Sequence, residues 1–262
     1  MSHVSLSGIE FRYPGKGKSL AILRDFDLEI APGEFVVMIG PSGCGKTTVL
    51  NLVAGFEFPS QGRVIVEGAE VRKPGADRAV IFQGDDSLLP WLTALENIEL
   101  GPRIAGMARG ERRKLAIEHL KLIGLEGQGH KRPSELSGGM KQRIQLARAM
   151  VCASRILLMD EPFGAIDALT RAALQDELAA LWERTHPTVL FITHDITEAI
   201  LLADRICVMT PGPDATIAEM IPVTLARPRD RSLPEFGTMY GRVHAALSKS
   251  HGQDARAASA RP

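Results

Sequence analysis

The sequence contains few cysteines, no excess of charge of either sign and no long apolar run. Its three cysteines, Cys44, Cys152 and Cys207, are too few and too scattered for a disulfide framework or a zinc site, which favours a reducing compartment. Lys plus Arg and Asp plus Glu number 31 each, so the formal net charge is zero. Because proteins that bind duplex DNA usually carry a basic excess, this balance argues against a nucleic-acid partner.

The apolar stretches also argue against a membrane span. The longest, such as residues 35–39 and 189–193, fall far short of the ~20 residues that a helix needs to cross lipid. The N-terminus leads straight into an alternating segment, so we expect no signal peptide. Apolar residues make up 45% of the chain, which is enough to bury a core. If the protein acts at a membrane, we expect it to do so by docking to another chain.

The order of short apolar runs predicts an α/β fold. Residues 4–30 are predicted to form antiparallel strands, because Phe26, Leu28 and Ile30 alternate with Asp27 and Glu29 as in a half-buried strand. Phe35–Ile39 is instead continuously apolar, which is typical of a strand covered on both faces in a parallel sheet. Similar runs recur at Ala79–Phe82, Ile156–Met159, Val189–Thr193 and Ile206–Met209. We therefore expect a mostly parallel sheet with flanking helices and an N-terminal antiparallel β subdomain.

One stretch interrupts the alternation of strands and helices. Ala116, Leu120 and Ile123 are spaced four and three apart, and Gly124 follows as a helix C-cap, so this part of the chain is predicted to be helical. We expect a single domain over residues 1–262. Its parts are a core of residues 1–85 and 154–226, an inserted helical subdomain of residues 86–153, and a C-terminal extension of residues 227–262 that frays from about Ala245.

A glycine-rich segment follows the strand at 35–39, opens an apolar helix and fits the pattern G-x-x-x-x-G-K-[ST]. Its glycines allow backbone N–H groups to curl around phosphate oxygens, and the helix N-terminus adds partial positive charge. Lys46 should reach the β- and γ-phosphates, and the Thr47 hydroxyl should ligate Mg²⁺. A turn that binds nothing is the alternative, which the strand–loop–helix setting disfavours. The predicted phosphate-binding residues are Gly40, Pro41, Ser42, Gly43, Cys44, Gly45, Lys46, Thr47 and Thr48.

Residues 155–161 predict a buried strand that ends in two acids. Asp160 at the tip of this strand can hold Mg²⁺ through water. The next carboxylate, Glu161, is placed to accept a proton from an attacking water. An acidic strand-to-loop turn before Pro162 is the ordinary alternative.

Gln83 and His194 each follow a predicted strand. A surface glutamine, and a histidine before an Asp195 helix cap, are the ordinary alternatives. However, both side chains share the carboxyl ends of predicted parallel strands with the Lys46 loop and the acids at 160–161. Open α/β sheets bind ligands at that edge, so the convergence favours one site.

A second candidate anion site lies within the predicted helical subdomain. Leu136-Ser137-Gly138-Gly139-Met140 precedes a helix that is rich in Lys and Arg on one side. Ser137 could be an ordinary N-cap, but Ser-Gly-Gly at a helix N-terminus can also bind an anion. One chain has little need of two phosphate sites, whereas two antiparallel chains could share them in pairs.

In this order along the chain, these motifs resemble those of the nucleotide-binding subunits of ABC transporters, over nearly the whole length. The matching segments are Tyr13, residues 40–48, Gln83, residues 136–140, Asp160-Glu161, residues 164–167 and His194. The resemblance implies a P-loop NTPase core with an inserted α-helical subdomain, which binds and hydrolyses ATP with Mg²⁺.

The resemblance also implies individual roles. Tyr13 would stack on adenine, and Gln83 would sense Mg²⁺ and the attacking water and couple to membrane subunits. His194 would steady the γ-phosphate in the transition state. Across a dimer that sandwiches two ATP molecules, the γ-phosphate would be contacted by Ser137, Gly138 and Gly139 of the opposite chain, and Asp167 would cross the interface.

Residues 88–93, 163–171 and 190–195 resemble the import group for nitrate, taurine, aliphatic sulfonates, bicarbonate and some pyrimidine precursors. This implies a bacterial importer subunit at the cytoplasmic face of the inner membrane. Its partners would be a second copy, integral membrane permease subunits and, indirectly, a solute-binding protein, with no nucleic acid. The chain departs from the family pattern in Met140, where Gln is usual, and in having four residues between Gln83 and Leu88, where three are expected.

Two alternatives come from other classes of protein. A non-transport relative could use the same ATPase dimer in DNA repair, chromosome maintenance or translation, but the coiled coils, zinc modules or second ATPase half typical of such proteins are not visible. A P-loop kinase for a small molecule would explain Lys46 and Asp160, yet it leaves residues 136–140 and the helical stretch unexplained.

Overall fold

The computed structural model describes most of the chain, namely residues 2–13, 20–82, 87–152, 154–164 and 166–258. The chain divides into two compact units. The first unit comprises residues 1–75 and 183–262, and the second comprises residues 76–182. Within the described ranges, none of the helices is long and apolar enough to cross a membrane.

Strands and helices alternate along most of the chain. The strands are β1 (Val4–Tyr13), β2 (Leu20–Ile30), β3 (Phe35–Ile39), β4 (Gln61–Val66), β5 (Ala69–Glu70), β6 (Arg78–Ile81), β7 (Ile156–Asp160), β8 (Thr188–Ile192), β9 (Arg205–Met209) and β10 (Ile217–Pro222). The helices are α1 (Lys46–Ala54), α2 (Ala94–Ile104), α3 (Arg109–Leu122), α4 (Gly138–Val151), α5 (Ala168–Thr185), α6 (Ile196–Leu202) and α7 (Pro234–Ala258). A short 3₁₀ turn, Pro133–Glu135, precedes α4.

An antiparallel sheet forms the N-terminal part of the first unit. Strand β1 pairs with β2 on one side and with β4 on the other, and β5 extends the sheet beyond β4. Val4, Leu6, Ile9 and Phe11 of β1 are buried. The predicted antiparallel β subdomain is therefore confirmed, and its outer strands β4 and β5 are additions that the sequence analysis does not anticipate.

The parallel strands of the first unit position its candidate site residues. Strand β3 lies between β8 and β9 and is parallel to both, with Phe35 opposite Val189 and Val37 opposite Ile206. Strand β10 adds antiparallel to β9. All five residues of β3 are buried, as the continuous apolar run predicts. The carboxyl ends of β3 and β8 consequently lie side by side at one edge.

The C-terminal extension is attached to α6 through the partly buried Arg229. Arg229 donates from Nη1 to the carbonyls of Ile200, Leu201 and Ala203, which closes the C-terminus of α6. Burial, with a smaller effect of neighbouring Arg227, lowers the pKa of Arg229 to about 10. Helix α7 then extends from Pro234 to Ala258.

In the second unit, β6 and β7 are parallel, with Arg78 opposite Ile156. Between them the described residues form helices α2, α3 and α4 and no strand. Helix α2 begins with a capping box in which Thr93 Oγ1 accepts from Glu96 N and Glu96 Oε2 accepts from Thr93 N. The predicted helical spacing of Ala116 and Leu120 matches the buried face of α3.

Candidate functional site

The glycine-rich segment of the first unit connects β3 to α1, in the predicted strand–loop–helix arrangement. Gly43 and Gly45 have φ angles of +77° and +93°, a left-handed region that favours glycine. A Cβ atom at Gly45 would lie 2.8 Å from Ile22 Cγ2 and 3.0 Å from Leu23 Cδ2. Conformation and packing thus both require glycine at this position.

The loop also holds the positively charged side chain of Lys46 in its interior. Lys46 Nζ donates to the carbonyls of Gly40 and Pro41, at 2.8 Å each, and the Lys46 side chain is largely buried. Gly45 is the N-cap of α1 and has no side chain with which to cap the helix, and no acidic residue occupies the first turn. Such a helix N-terminus, with a lysine folded into the loop, is suited to bind an anion.

The remaining residues of the loop differ in exposure. Ser42 and Thr47 are exposed, whereas Thr48 is buried. Cys44 is fully buried, with its Sγ 3.9 Å from Met209 Sδ, and burial raises the pKa of this thiol. Cys44 therefore acts as an apolar filler beneath the loop, whereas Thr47 is an exposed residue.

Tyr13 stands at the end of β1, close to the phosphate loop. Its hydroxyl donates to Glu57 Oε1 at 2.7 Å and lies 3.4 Å from Thr48 Oγ1. Its ring packs edge-on against Phe11, with centroids 4.9 Å apart, and remains 39% exposed. Partial burial is the main cause that raises the pKa of this phenol. The structure thus holds a partly exposed aromatic ring beside α1.

His194 lies in the turn between β8 and α6 and is exposed. The turn is fixed on both sides of the histidine. Thr193 Oγ1 accepts from Asp195 N at 3.0 Å and donates to Glu198 Oε2 at 2.6 Å. Asp195 is the predicted cap, accepting from Thr197 N at 2.7 Å. Because β8 neighbours β3, His194 and the phosphate loop share one edge of the sheet.

The two acids of the second unit stand where β7 ends. Asp160 is the last residue of the strand and is only 4% exposed, while Glu161 is half-buried. The φ angle of Glu161 is +47°, which for a non-glycine residue costs on the order of 1–3 kcal/mol. Its carbonyl oxygen accepts from Gln142 Nε2 and from Gly164 N, at 3.1 Å each. The sequence predicts the strand and its acids but not this strained turn.

Gln83 follows β6 and lies outside the described residues. Ser87, where the described chain resumes, is attached to α4. Arg148 donates from Nη1 to the carbonyl of Ser87 at 3.0 Å and from Nη2 to Ser87 Oγ at 3.1 Å. Since β6 and β7 are parallel neighbours, Gln83 follows a strand whose carboxyl end adjoins that of the strand bearing Asp160.

Ser137 is the N-cap of α4, and its Oγ accepts from Met140 N at 3.3 Å. Gly138 and Gly139 form the first turn, where backbone N–H groups project from the helix end. The ordinary capping function of Ser137 is therefore real, and a cap of this kind is compatible with an anion at the same N-terminus.

Asp167 caps α5 and is exposed. Its Oδ1 accepts from Thr170 N at 3.0 Å. This hydrogen bond, with a smaller contribution from the Arg143 guanidinium, lowers the pKa of the carboxyl, so Asp167 is ionised at neutral pH. Both α5 and the preceding turn belong mainly to the second unit.

The donors available for a cation are oxygen atoms. In the part of the chain that the structure describes, no group of three or more His, Cys, Asp and Glu side chains could hold a metal ion. Mg²⁺ does not need such a group, since it is commonly bound by one or two carboxylates together with water and substrate phosphates. Each unit contains one oxygen donor of this kind, the exposed residue Thr47 in the first and the carboxylate of Asp160 at the end of β7 in the second.

The structure thus assembles the predicted residues in two sets. Tyr13, residues 40–48 and His194 belong to the first unit, while Ser137–Gly139, Asp160-Glu161 and Asp167 belong to the second. Gln142, which contacts the turn after β7, and Arg148, which contacts Ser87, are not predicted as functional residues from the sequence. Gln142 is a polar residue on the buried face of α4, four positions before Leu146, and that spacing was the available signal.

Comparisons with known proteins agree with one another. The ABC transporter family matches residues 23–164. The nitrate import ATP-binding protein NrtD of Synechococcus elongatus is 48% identical over 231 residues, which cover 87% of this chain and 83% of that protein. The taurine import ATP-binding protein TauB of Pseudomonas aeruginosa is 45% identical over 247 residues, which cover 91% of this chain and 93% of that protein.

A solved structure provides the comparison of folds. The dimeric post-hydrolysis state of the ATP-binding cassette MJ0796, bound to ADP and Pi, is similar with a TM-score of 0.76 and 33% sequence identity. The match covers 85% of this chain and 100% of that one. This similarity confirms the predicted α/β class, with its mostly parallel sheet, flanking helices and N-terminal antiparallel sheet.

Proposed function

Because this chain belongs to the ABC transporter family, as one of its ATP-hydrolysing, ATP-binding subunits, we propose that it powers the import of a small oxyanion or sulfonate, such as nitrate, taurine or an alkanesulfonate. The relatives named above support this solute class. Membership of this family argues against the small-molecule kinase alternative. The relatives named for import give no support to the non-transport alternative.

The observation that carries the ATP-binding part of this proposal is the backbone conformation of the phosphate loop. Gly43 and Gly45 turn the chain through left-handed conformations, which allows consecutive N–H groups to face an anion. Lys46 already lies within this loop, held by two carbonyls that a phosphate would replace as its partners. The β- and γ-phosphates of ATP are the ligand that matches this charge and shape, and Tyr13 would stack on the adenine.

The catalytic roles are proposed for polar side chains at or after the ends of β3, β6, β7 and β8. Bound Mg²⁺ would neutralise charge that develops on the phosphates. The Thr47 hydroxyl and the Asp160 carboxylate would hold it, with Gln83 beside it. Glu161 would accept the proton of the attacking water, and His194 would steady the γ-phosphate. The exposure of His194 at the edge it shares with the phosphate loop supports its role.

The active site is proposed to be shared between two copies of the chain. Ser137, Gly138 and Gly139 present the second helix N-terminus suited to phosphate, and they would contact the γ-phosphate held by the opposite copy. Ionised Asp167 would cross the same interface. Solved structures of the similar cassette are dimeric, and one contains ADP and Pi, which supports this arrangement.

The partners follow from the transport function. An ATPase that powers import requires integral membrane permease subunits, on which we propose that the dimer docks at the cytoplasmic face of the membrane. A solute-binding protein would deliver the solute to those subunits. The segment between Gln83 and Trp91 is the proposed contact, and the exposed side chain of Trp91 supports it.

Lys46→Ala tests the phosphate site directly. Each charge-assisted hydrogen bond that it removes contributes roughly 1.5–3 kcal/mol, so ATP affinity should fall at least about tenfold and hydrolysis should stop. Lys121→Ala, at an exposed position on α3, is the matched control and should bind and hydrolyse ATP normally. Binding by calorimetry and phosphate release measure both effects. An unchanged ATP affinity in Lys46→Ala would show that the loop does not hold phosphate.

A further inference from the structure

The turn that carries Glu161 is held in an unusual conformation. Its φ of +47° is one that non-glycine residues avoid. Pro162 follows, and a residue before proline ordinarily has a negative φ in the β or polyproline region. A backbone in this state persists only when surrounding contacts stabilise it. The direction of the Glu161 side chain therefore depends on whatever fixes this peptide.

A buried side chain of α4 supplies one such contact. Gln142 is only 1% exposed, and its Nε2 donates to the carbonyl oxygen of Glu161 at 3.1 Å. The same oxygen accepts from Gly164 N at 3.1 Å. Two donors from different segments thus restrain the peptide that joins Glu161 to Pro162. Loss of the amide donor would leave this carbonyl with a weaker restraint and free the turn to relax.

The helix that bears Gln142 is the one that begins at Ser137. Five residues of α-helix separate the two by only ~7.5 Å along the axis. The next residue, Arg143, donates from Nη1 to the carbonyl of Ile123 at 3.2 Å, which ties the start of α4 to the end of α3. The first two turns of α4 are therefore braced, and a displacement of its N-terminus would reach the Glu161 carbonyl through Gln142.

We propose that Gln142 is a positioning residue for hydrolysis. Its amide holds the left-handed turn at Glu161 so that the carboxylate is aligned with the attacking water, and it links that alignment to the helix whose N-terminus binds the opposite copy's phosphate. This inference rests on the proposed role of Glu161 as the base. It assigns to Gln142 no contact with ATP, and its effect is on the rate of the chemical step.

Gln142→Met tests the proposal, because methionine has a similar length but no donor. Misplacing a catalytic group by about 1 Å can cost 10²-fold in rate, so kcat should fall by roughly tenfold to a hundredfold. KM and Kd for ATP should stay within about twofold, since the phosphate loop is unaltered. Ile144→Val is the matched control: it trims a fully buried residue of the same helix and should leave kcat unchanged despite a lower Tm.

A double-mutant cycle with Glu161→Gln distinguishes an effect of Gln142→Met on the position of Glu161 from a general loss of active-site structure. If Gln142 acts through Glu161, adding Gln142→Met to Glu161→Gln should lower single-turnover hydrolysis by less than about twofold. If the two rate factors multiply in full, or if Gln142→Met alone hydrolyses ATP at the normal rate, the proposal is overturned. Should Glu161→Gln itself retain the normal rate, the proposed function of Glu161 is what fails, and the two failures are thereby distinguished.

Discussion

The turn after β3 and the turn after β7 both leave a buried parallel strand through left-handed backbone, but by different means. The phosphate loop uses Gly43 and Gly45, which adopt φ angles of +77° and +93° without a Cβ penalty. The turn after β7 places Glu161 at +47°, and the Glu161 carbonyl accepts both from the nearby Gly164 N and from Gln142, 19 residues earlier in the chain. The first conformation is local in origin, and the second is restrained in part by a tertiary contact.

The difference follows from what each turn has to present. A phosphate loop binds through backbone N–H groups, so glycine can occupy the strained positions at no cost to function. The turn after β7 has to present a carboxylate, so glycine is not available at position 161 and the strain has to be offset by neighbouring groups. This distinction predicts that substitutions will affect ATP binding at the first turn and turnover at the second.

Glu161→Gln should have the largest effect on turnover. A positioned general base contributes typically about 10²–10⁴-fold, so hydrolysis should fall by that factor while ATP binding remains intact. Because hydrolysis is proposed to reopen the dimer, the protein should also accumulate as an ATP-bound dimer on a sizing column. Hydrolysis near the wild-type rate would remove Glu161 from the mechanism.

Gly45→Ala should instead damage binding and stability. The new Cβ would be forced into a left-handed backbone and against Ile22, 2.8 Å away, for a loss of roughly 2–4 kcal/mol of folding free energy. Gly68→Ala is the matched control, since Gly68 also has a positive φ of +79° but no described atom within 4 Å of an added Cβ.

The control variant should lose only about 1–2 kcal/mol and bind ATP normally. Thermal unfolding and ATP titration of both proteins measure the contrast. Equal behaviour of the two variants would mean that close packing under the phosphate loop does not matter to its function.

The same distinction explains how much could be predicted from the sequence. Strand β3, the phosphate loop and α1 are encoded within one short segment, and their prediction is confirmed. The left-handed turn at Glu161 was not predictable, because one of the two donors to its carbonyl is Gln142, whose contact with Glu161 arises only when α4 packs in the second unit. Strands β4 and β5 were missed because exposed residues make up half of β4 and all of β5, which leaves a weak apolar pattern.

Local structure accounts for Ser137 as a helix cap but does not require its proposed contact with ATP. Its Oγ caps α4, so loss of the cap by itself costs only about 1 kcal/mol and leaves the fold intact. The proposal of a shared site gives Ser137 a second role, contact with ATP bound to the opposite copy. A substitution that adds bulk and charge there should prevent closure of the dimer without affecting the phosphate loop.

The most direct measurement of a shared ATP site is therefore the ATP-driven dimerisation of Glu161→Gln protein with and without Ser137→Arg. We expect the single variant to dimerise with ATP, and the double variant to remain monomeric although each monomer still binds ATP. Ser248→Arg in the same background, at an exposed position on α7, should dimerise normally. If the Ser137→Arg double variant dimerised fully with ATP, Ser137 would be a helix cap alone, and the account of a site shared between two copies would be contradicted.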